Sequence, residues 1–310
     1  MPRPREQSVV VLRALGLGDL LTGVPALRGL RAALPHDRIE LVVSRGVASL
    51  ARLLGVADEI TTIASLYDHA PETAPFLAVN LHGSGPESHD WLLRTKPGSL
   101  LAFVHPSIPA SFGGPRWRSD EHEVGRWCRL LASAGIQTDA ADLSIPAPAD
   151  PLPADPDRVV VHVGAGAGAR RWPPRRWVDV VRGLVRDGRT PWLTGDEEER
   201  PIAMFVAEEA GLPLDHVLAG RTDVVELAGV VAGARVVLAG DTGVGHLATA
   251  LGRPSVLLFG PTPPSRWGPP SDDRHVVLWK GTTGDPHADE PDPGLLEITV
   301  DEVLQAAATV

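Results

Sequence analysis

Short apolar runs alternate along the chain with segments whose apolar residues recur at helical spacing. The first run, VVVL at residues 9–12, is followed by such a segment from residue 20 to residue 34. Apolar runs predict buried strands, and recurrence at i, i+3 and i+4 predicts an amphipathic helix. Because the two kinds of segment keep alternating, we predict an α/β protein with parallel sheets covered by helices on both faces.

The same pattern assigns an element to most of the chain. It predicts strands at residues 8–15, 39–43, 59–63, 76–81, 158–163, 190–193, 217–218, 236–239, 256–259 and 275–279. It predicts helices at residues 20–34, 48–54, 121–134, 172–186, 202–210, 223–232, 247–251 and 300–308. A proline-rich stretch, PAPADPLPADP at 146–156, interrupts the alternation. Such a stretch is stiff and extended, so we predict two Rossmann-like domains, 1–150 and 151–310. The last helix is a candidate to pack back on the first domain.

Polar residues stand in glycine-rich turns that directly follow predicted strands. In open α/β sheets ligands bind at this end of the strands, and helix N-termini attract anions. The fullest turn is GDTGVGH at 240–246, where Asp241, Thr242, Gly243 and His246 lie together. Asp241 or Thr242 could simply cap the next helix. The combination of these polar residues favours a ligand site over capping alone.

A second turn, GAGAGARR at 164–171, combines glycines with arginines. Backbone amides of Gly164, Gly166 and Gly168, together with the guanidinium of Arg170, suit a diphosphate. The spacing matches neither the dinucleotide fingerprint nor the P-loop, so NAD is disfavoured and a P-loop site is excluded. The next predicted strand leads to three glutamates at 197–199, which are either a solvated helix start or a contact to a ribose, with Glu197 as the candidate.

Asp19 ends the turn after the first predicted strand, at the start of a helix. It is either an N-cap or a general base, which must be unprotonated and within hydrogen-bond reach of a hydroxyl. The helix dipole at this position favours the carboxylate form.

Farther along the chain, residues 266–268 form either part of a lid or base-stacking wall, or part of the core.

Composition and isolated motifs exclude several other classes of protein. The formal net charge of −10 argues against a general nucleic-acid binder, and the single Cys128 excludes an intrachain disulfide or a cysteine-rich metal site. The triplet 241–243 also matches aspartic proteases, but it occurs once and in a βαβ context, whereas those enzymes need two such carboxylates. His122-Glu123 lacks the second histidine of a zinc-protease motif. No apolar run reaches the ~20 residues of a membrane span, and no signal-peptide core is seen, so we expect a cytoplasmic protein.

Four segments together resemble glycosyltransferase family 9, the heptosyltransferases of the lipopolysaccharide inner core. They are LRALGLGD at 12–19 with PAL at 25–27 and LP at 34–35, HVGAGAGARRWP at 162–173 with Trp177, ELA at 226–228 with GAR at 233–235, and GDTGVGHLA at 240–248 with GRP at 252–254 and FGPT at 259–262. The resemblance implies the GT-B fold, with two Rossmann-like domains facing each other across a cleft. It places the acceptor on the N-terminal domain and a nucleotide-sugar on the C-terminal one. It also implies an inverting, metal-independent transfer.

The resemblance assigns roles to the candidate residues. Asp19 matches the base that takes the proton of the acceptor hydroxyl, and Gly18 and His82 are placed on the acceptor side. Arg170 stands where the family usually has a lysine that contacts the diphosphate. The remaining candidates for donor contacts are Gly164, Gly166, Gly168, Glu197, Asp241, Thr242, Gly243 and His246.

We therefore expect transfer of a sugar from an ADP- or other NDP-sugar to a hydroxyl of a glycan or glycolipid. Heptose is the sugar that the resemblance favours. The nucleotide-sugar is a co-substrate, and we expect no metal, no cofactor and no nucleic acid. Two other interpretations remain open: a nucleotide-sugar enzyme of another kind, such as an epimerase or one with a small-molecule acceptor, and a binding module without catalysis. We expect a monomer with at most peripheral contact at the inner face of the cell membrane.

Overall fold

The computed structural model describes residues 7–149 and 153–310. The chain divides into two compact units, with the boundary between Leu143 and Ser144. This boundary lies just before the proline-rich stretch 146–156 from which two domains are predicted.

The first unit is built on a five-stranded parallel sheet with the order β3-β2-β1-β4-β5. Its strands are β1 (Ser8–Arg13), β2 (Arg38–Ser44), β3 (Glu59–Ile63), β4 (Leu77–Asn80) and β5 (Ser99–Leu101). Its helices are α1 (Leu17–Thr22), α2 (Val24–Ala33), α3 (Ala48–Leu53), α4 (Glu87–Arg94) and α5 (Glu123–Ala132). The strand order changes direction between β1 and β4, where an open sheet of this kind presents its ligand site.

The second unit is also built on a five-stranded parallel sheet, with the order β10-β9-β8-β6-β7. Its strands are β6 (Arg158–His162), β7 (Thr190–Thr194), β8 (Val236–Gly240), β9 (Ser255–Leu258) and β10 (His275–Leu278). Its helices are α6 (Pro174–Arg186), α7 (Arg200–Ala210), α8 (Val224–Ala232), α9 (Gly243–Ala250), α10 (Pro264–Trp267), α11 (Pro293–Glu297) and α12 (Val300–Thr309). Here the strand order changes direction between β6 and β8. The two sheets confirm the prediction of two Rossmann-like domains.

The core of the second unit lies between its sheet and the helices that cover it. Valines of β6, such as Val159 and Val161, pack with Trp177 and other apolar residues of α6. Helix α12 contributes Val303, Ala306 and Ala307 to the same core, so the apolar face of the last helix is taken up by the second unit. Burial of a large aliphatic side chain contributes roughly 1.5–3 kcal/mol, and strand β6 is buried along its whole length.

The helix predicted over 20–34 is two helices, α1 and α2, joined at Gly23. Pro25 lies in the first turn of α2, where its missing N–H has no helical partner to lose. Gly23 also leaves room for a side chain of the neighbouring strand: a Cβ at this position would lie 3.3 Å from Nε of Arg13. The break between α1 and α2 therefore lies where the guanidinium of Arg13 passes close to the backbone.

The remaining differences concern short elements. Helices α4, α10 and α11 and strand β5 were not predicted, and the strand predicted at 217–218 is only a single bridge between Leu193 and Val217. Helix α4 buries polar Ser88 and His89 beside Trp91 and Leu92, so its buried face does not read as an apolar stripe. Within residues 7–149 and 153–310, no helix is both long and apolar enough to cross a membrane.

Candidate active site

The two glycine-rich turns of the second unit meet where its strand order changes direction. One turn follows β6 and the other follows β8, which are neighbours in the sheet. Nη1 of Arg170 donates a hydrogen bond of 3.2 Å to the backbone oxygen of Asp241. The structure thus brings together two of the predicted donor-binding residues from distant parts of the sequence.

Asp241 is a buried carboxyl group, with only 8% of the residue exposed. Burial raises the pKa of Asp241 to about 6, although the charge of Arg170 and a hydrogen bond from Thr262 both lower it. A carboxyl group with this pKa changes its charge near neutral pH. Desolvation of this size is typical of functional sites, where a ligand group replaces the lost water.

Helix α9 begins beside this carboxyl group with an unused capping residue. Thr242 occupies the N-cap position, but its side chain makes no capping hydrogen bond. Among the described residues, neither Oγ1 of Thr242 nor Nε of Arg170 has a hydrogen-bond partner, and both atoms are buried. An unpaired buried polar group costs about 1–3 kcal/mol. Two such groups beside a helix N-terminus indicate a site for an anionic or hydroxyl-bearing ligand.

His246 and Trp267 form the outer part of this site. Their ring centroids are 5.7 Å apart in an edge-to-face arrangement. Both side chains line a small pocket together with Asp241, Thr242 and Pro269. Trp267, from α10, is half-buried and belongs to the pocket wall, which favours the wall interpretation of residues 266–268 over the core.

The three glycines of the turn after β6 have different reasons to be glycine. A Cβ at Gly168 would lie 1.6 Å from the backbone oxygen of Asp289, and a Cβ at Gly164 would lie 1.9 Å from Cδ of Glu199. These two positions are explained by close packing within the protein. Gly166 is exposed, and a Cβ there would meet only Nη2 of Arg170, at 3.5 Å. Gly166 is therefore the glycine of this turn with room for a ligand beside Arg170.

The three glutamates after β7 also divide into two kinds. Glu199 is buried, and its Oε2 accepts a hydrogen bond of 2.9 Å from the backbone N–H of Asp196. The same oxygen lies 3.8 Å from Nε2 of buried His162, whose pKa is lowered by burial. Glu197 and Glu198 are exposed. Glu199 thus shapes the turns, and Glu197 remains a candidate for contact with a ribose.

In the first unit, Asp19 follows β1 at the corresponding change of strand direction. Its Oδ2 accepts a hydrogen bond of 3.2 Å from the backbone N–H of Gly16. Its Oδ1 lies 3.7 Å from Nη2 of Arg13, whose side chain is fully buried. Asp19 has its side chain 27% exposed, so this carboxylate is both held and accessible. Gly18 is half-buried, and its carbonyl oxygen accepts a hydrogen bond from the hydroxyl of Thr22.

Two charges of opposite sign act on the carboxyl group of Asp19. Burial raises the pKa of Asp19, the guanidinium of Arg13 lowers it, and the carboxylate of Glu123 raises it again. Oε1 of Glu123 lies 3.3 Å from Nη2 of Arg13 and accepts a hydrogen bond of 2.8 Å from Nε1 of Trp127. Sequence reasoning missed Arg13 and Glu123. The sequence held one sign of this pair: Arg13 is a charged residue inside an apolar run that predicts a buried strand. A buried arginine is rarely without a partner, so its position indicates a buried acidic residue elsewhere in the chain.

His82 stands in the loop after β4, the strand that neighbours β1. Its backbone N–H donates a hydrogen bond of 2.9 Å to Oδ1 of Asn80. Burial and the charge of Arg13 lower the pKa of His82 to about 4, so the imidazole is neutral at pH 7. Its Nδ1 is buried and has no hydrogen-bond partner among the described residues. The ring is therefore available to a hydroxyl group of a ligand.

Outside 1–6 and 150–152, no three His, Cys, Asp or Glu side chains lie close enough together to hold a metal ion.

Known proteins resemble this chain over most of its length. A model of the family described as glycosyltransferase family 9 (heptosyltransferase) matches residues 118–293. Lipopolysaccharide heptosyltransferase 1 of Pseudomonas aeruginosa is 27% identical over 302 residues, which cover 84% of this chain and 80% of that protein. A solved structure of a family 9 glycosyl transferase from Veillonella parvula has a TM-score of 0.80 at 20% identity, covering 98% of this chain and 96% of its own. E. coli ADP-heptose lps heptosyltransferase II has a TM-score of 0.76 at 19% identity, covering 97% of each chain.

The structural likeness extends through both units and confirms the predicted GT-B fold class. The family model covers more than half of the chain and includes both glycine-rich turns of the second unit. The prediction of a glycosyltransferase is thereby confirmed. The chain belongs to glycosyltransferase family 9.

Proposed function

We propose that this protein transfers heptose from ADP-heptose to a hydroxyl group of a lipopolysaccharide core acceptor, with inversion at the transferred carbon and without a metal ion. The observation that carries the donor half of the proposal is the group formed by Arg170, Asp241 and the start of α9, with its unpaired Thr242 hydroxyl. The names of the relatives support the sugar and the acceptor.

The donor half needs a group that stabilises the leaving diphosphate. Arg170 is permanently charged, and its Nε and the N-terminus of α9 lie at the same end of the sheet. We place the diphosphate against Arg170, the backbone N–H groups of α9 and exposed Gly166. Fixed positive charge and helix dipole at this position stabilise the negative charge that develops on ADP as it leaves. We assign Thr242 and Asp241 to hydroxyl groups of the donor sugar, and His246 to the same pocket.

The acceptor half needs a base for one proton. Asp19 is accessible, and burial and Glu123 raise its pKa, which makes it a stronger base than an ordinary aspartate. In the proposed step, the acceptor oxygen forms its bond to the anomeric carbon while the bond from that carbon to the diphosphate oxygen breaks. The bonding electrons leave with ADP, and the hydroxyl proton passes to Asp19. We assign His82 to a second hydroxyl of the acceptor, because its neutral ring has an unpaired nitrogen.

We propose further that the protein acts as a monomer in the cytoplasm, with peripheral contact at the inner face of the cell membrane. The acceptor that the relatives' names specify is part of a membrane glycolipid, which supports this location. Sedimentation of the full chain alone tests whether it is a monomer. Sedimentation with vesicles that carry heptose-free lipopolysaccharide tests the peripheral membrane contact.

The decisive experiment supplies ADP-heptose and lipopolysaccharide that lacks its heptose residues, in the presence of EDTA. We expect ADP to be released in equal amount to heptose gained by the acceptor, as read by mass spectrometry. Conversion of ADP-heptose without an acceptor would indicate an epimerase or hydrolase instead. Binding of ADP-heptose with no turnover would indicate a module without catalysis, and loss of turnover in EDTA would contradict the metal-independent mechanism. Turnover with a different nucleotide-sugar only would contradict the proposed donor.

A further inference from the structure

Two carboxylates of the first unit face the same nitrogen atom of one buried arginine. Nη2 of Arg13 lies 3.7 Å from Oδ1 of Asp19 and 3.3 Å from Oε1 of Glu123. The arginine also donates hydrogen bonds to the backbone oxygens of Asp19 and Leu81, and these bonds hold its guanidinium in place. Asp19 is proposed above as the base, whereas Glu123 stands 110 positions from Arg13 and has no role in the proposed chemistry.

The two carboxylates differ in their access to solvent and in how firmly they are held. The side chain of Glu123 is 6% exposed and that of Asp19 is 27% exposed. Glu123 accepts a hydrogen bond from Nε1 of Trp127 and pairs with Arg126 in the same helix turn. Glu123 is thus fixed on every side, and it is the nearer of the two carboxylates to Nη2 of Arg13.

The partners of Glu123 are themselves fixed by packing. The guanidinium of Arg126 lies 4.1 Å from the ring centroid of Trp117 and donates to the backbone oxygen of Arg118. The guanidinium of Arg13 lies 4.6 Å from the ring centroid of Trp127. These contacts give the cluster a rigid frame on the side away from solvent. A rigid frame is what holds a reacting group within a fraction of an ångström of its working position.

An arginine with a single carboxylate partner would act differently. It would draw the carboxylate into a direct ion pair and lower its pKa, which weakens it as a base. Because Glu123 is the nearer partner of Arg13 and offsets part of its charge, Asp19 can remain at a longer distance and keep its hydrogen bond to Gly16.

We propose that Glu123 is a positioning residue for Asp19: acting through Arg13, it occupies the guanidinium so that the carboxylate of Asp19 stays available to the acceptor hydroxyl. This inference rests on the proposed function, in which Asp19 is the base. The charged side chains that act on the carboxyl group of Asp19 are Arg13 from β1 and Glu123 from α5. These two have one further partner each, since Glu123 pairs with Arg126 of the same helix and the charge of Arg13 acts on neutral His82 in the loop after β4.

The effect of Glu123 on the carboxyl group of Asp19 has a definite sign. The charge of Glu123 raises the pKa of Asp19, and that of Arg13 lowers it. Removing the charge of Glu123 therefore leaves Arg13 without compensation. At the distances of this cluster, the loss of the buried charge of Glu123 corresponds to a fall in the pKa of Asp19 of roughly one unit or more.

The test compares Glu123→Gln with Glu121→Gln in the full chain. Glu121 is a matched control, because it lies just before the same helix and its carboxylate pairs with Arg129 rather than with Arg13. The pKa of Asp19 is followed by NMR of ¹³C-labelled aspartate carboxyl groups, with the signal assigned by its absence in Asp19→Asn. We expect the pKa of Asp19 to fall by about one unit in Glu123→Gln and to stay unchanged in Glu121→Gln. An unchanged pKa in Glu123→Gln, or an equal fall in both variants, overturns the proposal.

A second measurement does not depend on the folding of Glu123→Gln. In the wild-type chain, the pKa of Asp19 should lie at or above its ordinary value of 3.8 despite the adjacent guanidinium. A value well below 3.8 would mean that Arg13 acts on Asp19 without compensation, and the proposal would be wrong.

Turnover separates this inference from the proposed function. With ADP-heptose and heptose-free lipopolysaccharide, Glu123→Gln should lower kcat and move the acid limb of kcat/KM to lower pH. The KM for ADP-heptose should not change. A purely structural glutamate would lower the unfolding temperature but leave the acid limb in place. If the wild type shows no transfer while the NMR shift is found, the positioning role stands and the proposed function fails.

Discussion

Nη1 of Arg170 donates a hydrogen bond of 3.2 Å to the backbone oxygen of Asp241, across 71 positions of sequence. The bond ties the turn after β6 to the turn after β8. Each turn alone could be a set of turn glycines and helix caps. Together they form a site with a permanent positive charge, a helix N-terminus and a buried carboxyl group.

Arg170→Ala should weaken the binding of ADP. A hydrogen bond between charged groups contributes about 1.5–3 kcal/mol, so the Kd should rise roughly tenfold to a hundredfold. Arg170→Lys keeps the charge and should lose less. Isothermal titration calorimetry measures both, with Arg175→Ala as the control, since Arg175 is an exposed arginine on α6. An equal loss in Arg175→Ala would show that net charge, rather than Arg170, governs the affinity.

Asp19→Asn should abolish most of the transfer without weakening donor binding. Loss of a general base costs on the order of 10²–10⁴ in rate, whereas the donor is assigned to the second unit. The measurement is kcat with ADP-heptose beside the Kd for ADP. Asp90→Asn, which removes an exposed carboxylate from α4 of the same unit, should behave as the wild type. Turnover near the wild-type rate in Asp19→Asn would refute the assignment.

Asp241→Asn should stabilise the protein at alkaline pH. Folding raises the pKa of Asp241 from 3.8 to about 6. The protonated carboxyl group therefore makes its full contribution to the stability of the folded state below pH 3.8, and this contribution is lost as the pH rises through about 6. The ionised group then destabilises the folded state by up to about 3 kcal/mol. The variant should therefore unfold at a higher temperature than the wild type at pH 8 and at the same temperature near pH 4.

The control for this prediction is Asp272→Asn in the same unit. The hydrogen bond from Arg274 lowers the pKa of Asp272, so replacing this carboxylate should not stabilise the protein at pH 8. Equal unfolding temperatures of Asp241→Asn and wild type at pH 8 would mean that the buried carboxylate is not destabilising.

His82→Ala should raise the KM for the acceptor with no change in the Kd for ADP. One hydrogen bond from a neutral group contributes about 0.5–1.5 kcal/mol, which corresponds to a rise of roughly two- to tenfold. Because the pKa of His82 is about 4, the rise should be the same at pH 6.5 and pH 8. A rise that appears only below pH 7 would mean that a charged imidazole binds the acceptor.

The sequence predicted the alternation of strands and helices because most buried faces are apolar and periodic. It failed at α4, whose buried face includes Ser88 and His89. Nε2 of His89 donates a hydrogen bond to the backbone oxygen of Phe103, and its Nδ1 accepts one from the side-chain amide of Asn80. The burial of His89 thus depends on partners that no local pattern shows. The break between α1 and α2 was missed for a similar reason, since it accommodates a side chain of another element.

The candidate site was predictable in its residue types and less so in its details. Gly164, Gly166 and Gly168 look alike in sequence, but only contacts with Glu199 and Asp289 distinguish packing glycines from one beside open space. The pairing of Arg13 with Glu123 joins residues 110 positions apart, and neither residue belongs to a motif that suggests the other. Long-range charge compensation of this kind becomes visible only when the chain is folded.

The close approach at Gly168 has a consequence for the cost of binding. The segment that meets this glycine also pairs with the next residue: the N–H of Ala169 donates to Ala288, and the oxygen of Ala169 accepts from the N–H of Asp292. The turn after β6 is thus clamped from both sides before any nucleotide arrives. Ordering a free loop of this length would oppose association through lost conformational entropy. A preorganised turn avoids that penalty, so a ligand of modest contact area can still bind tightly.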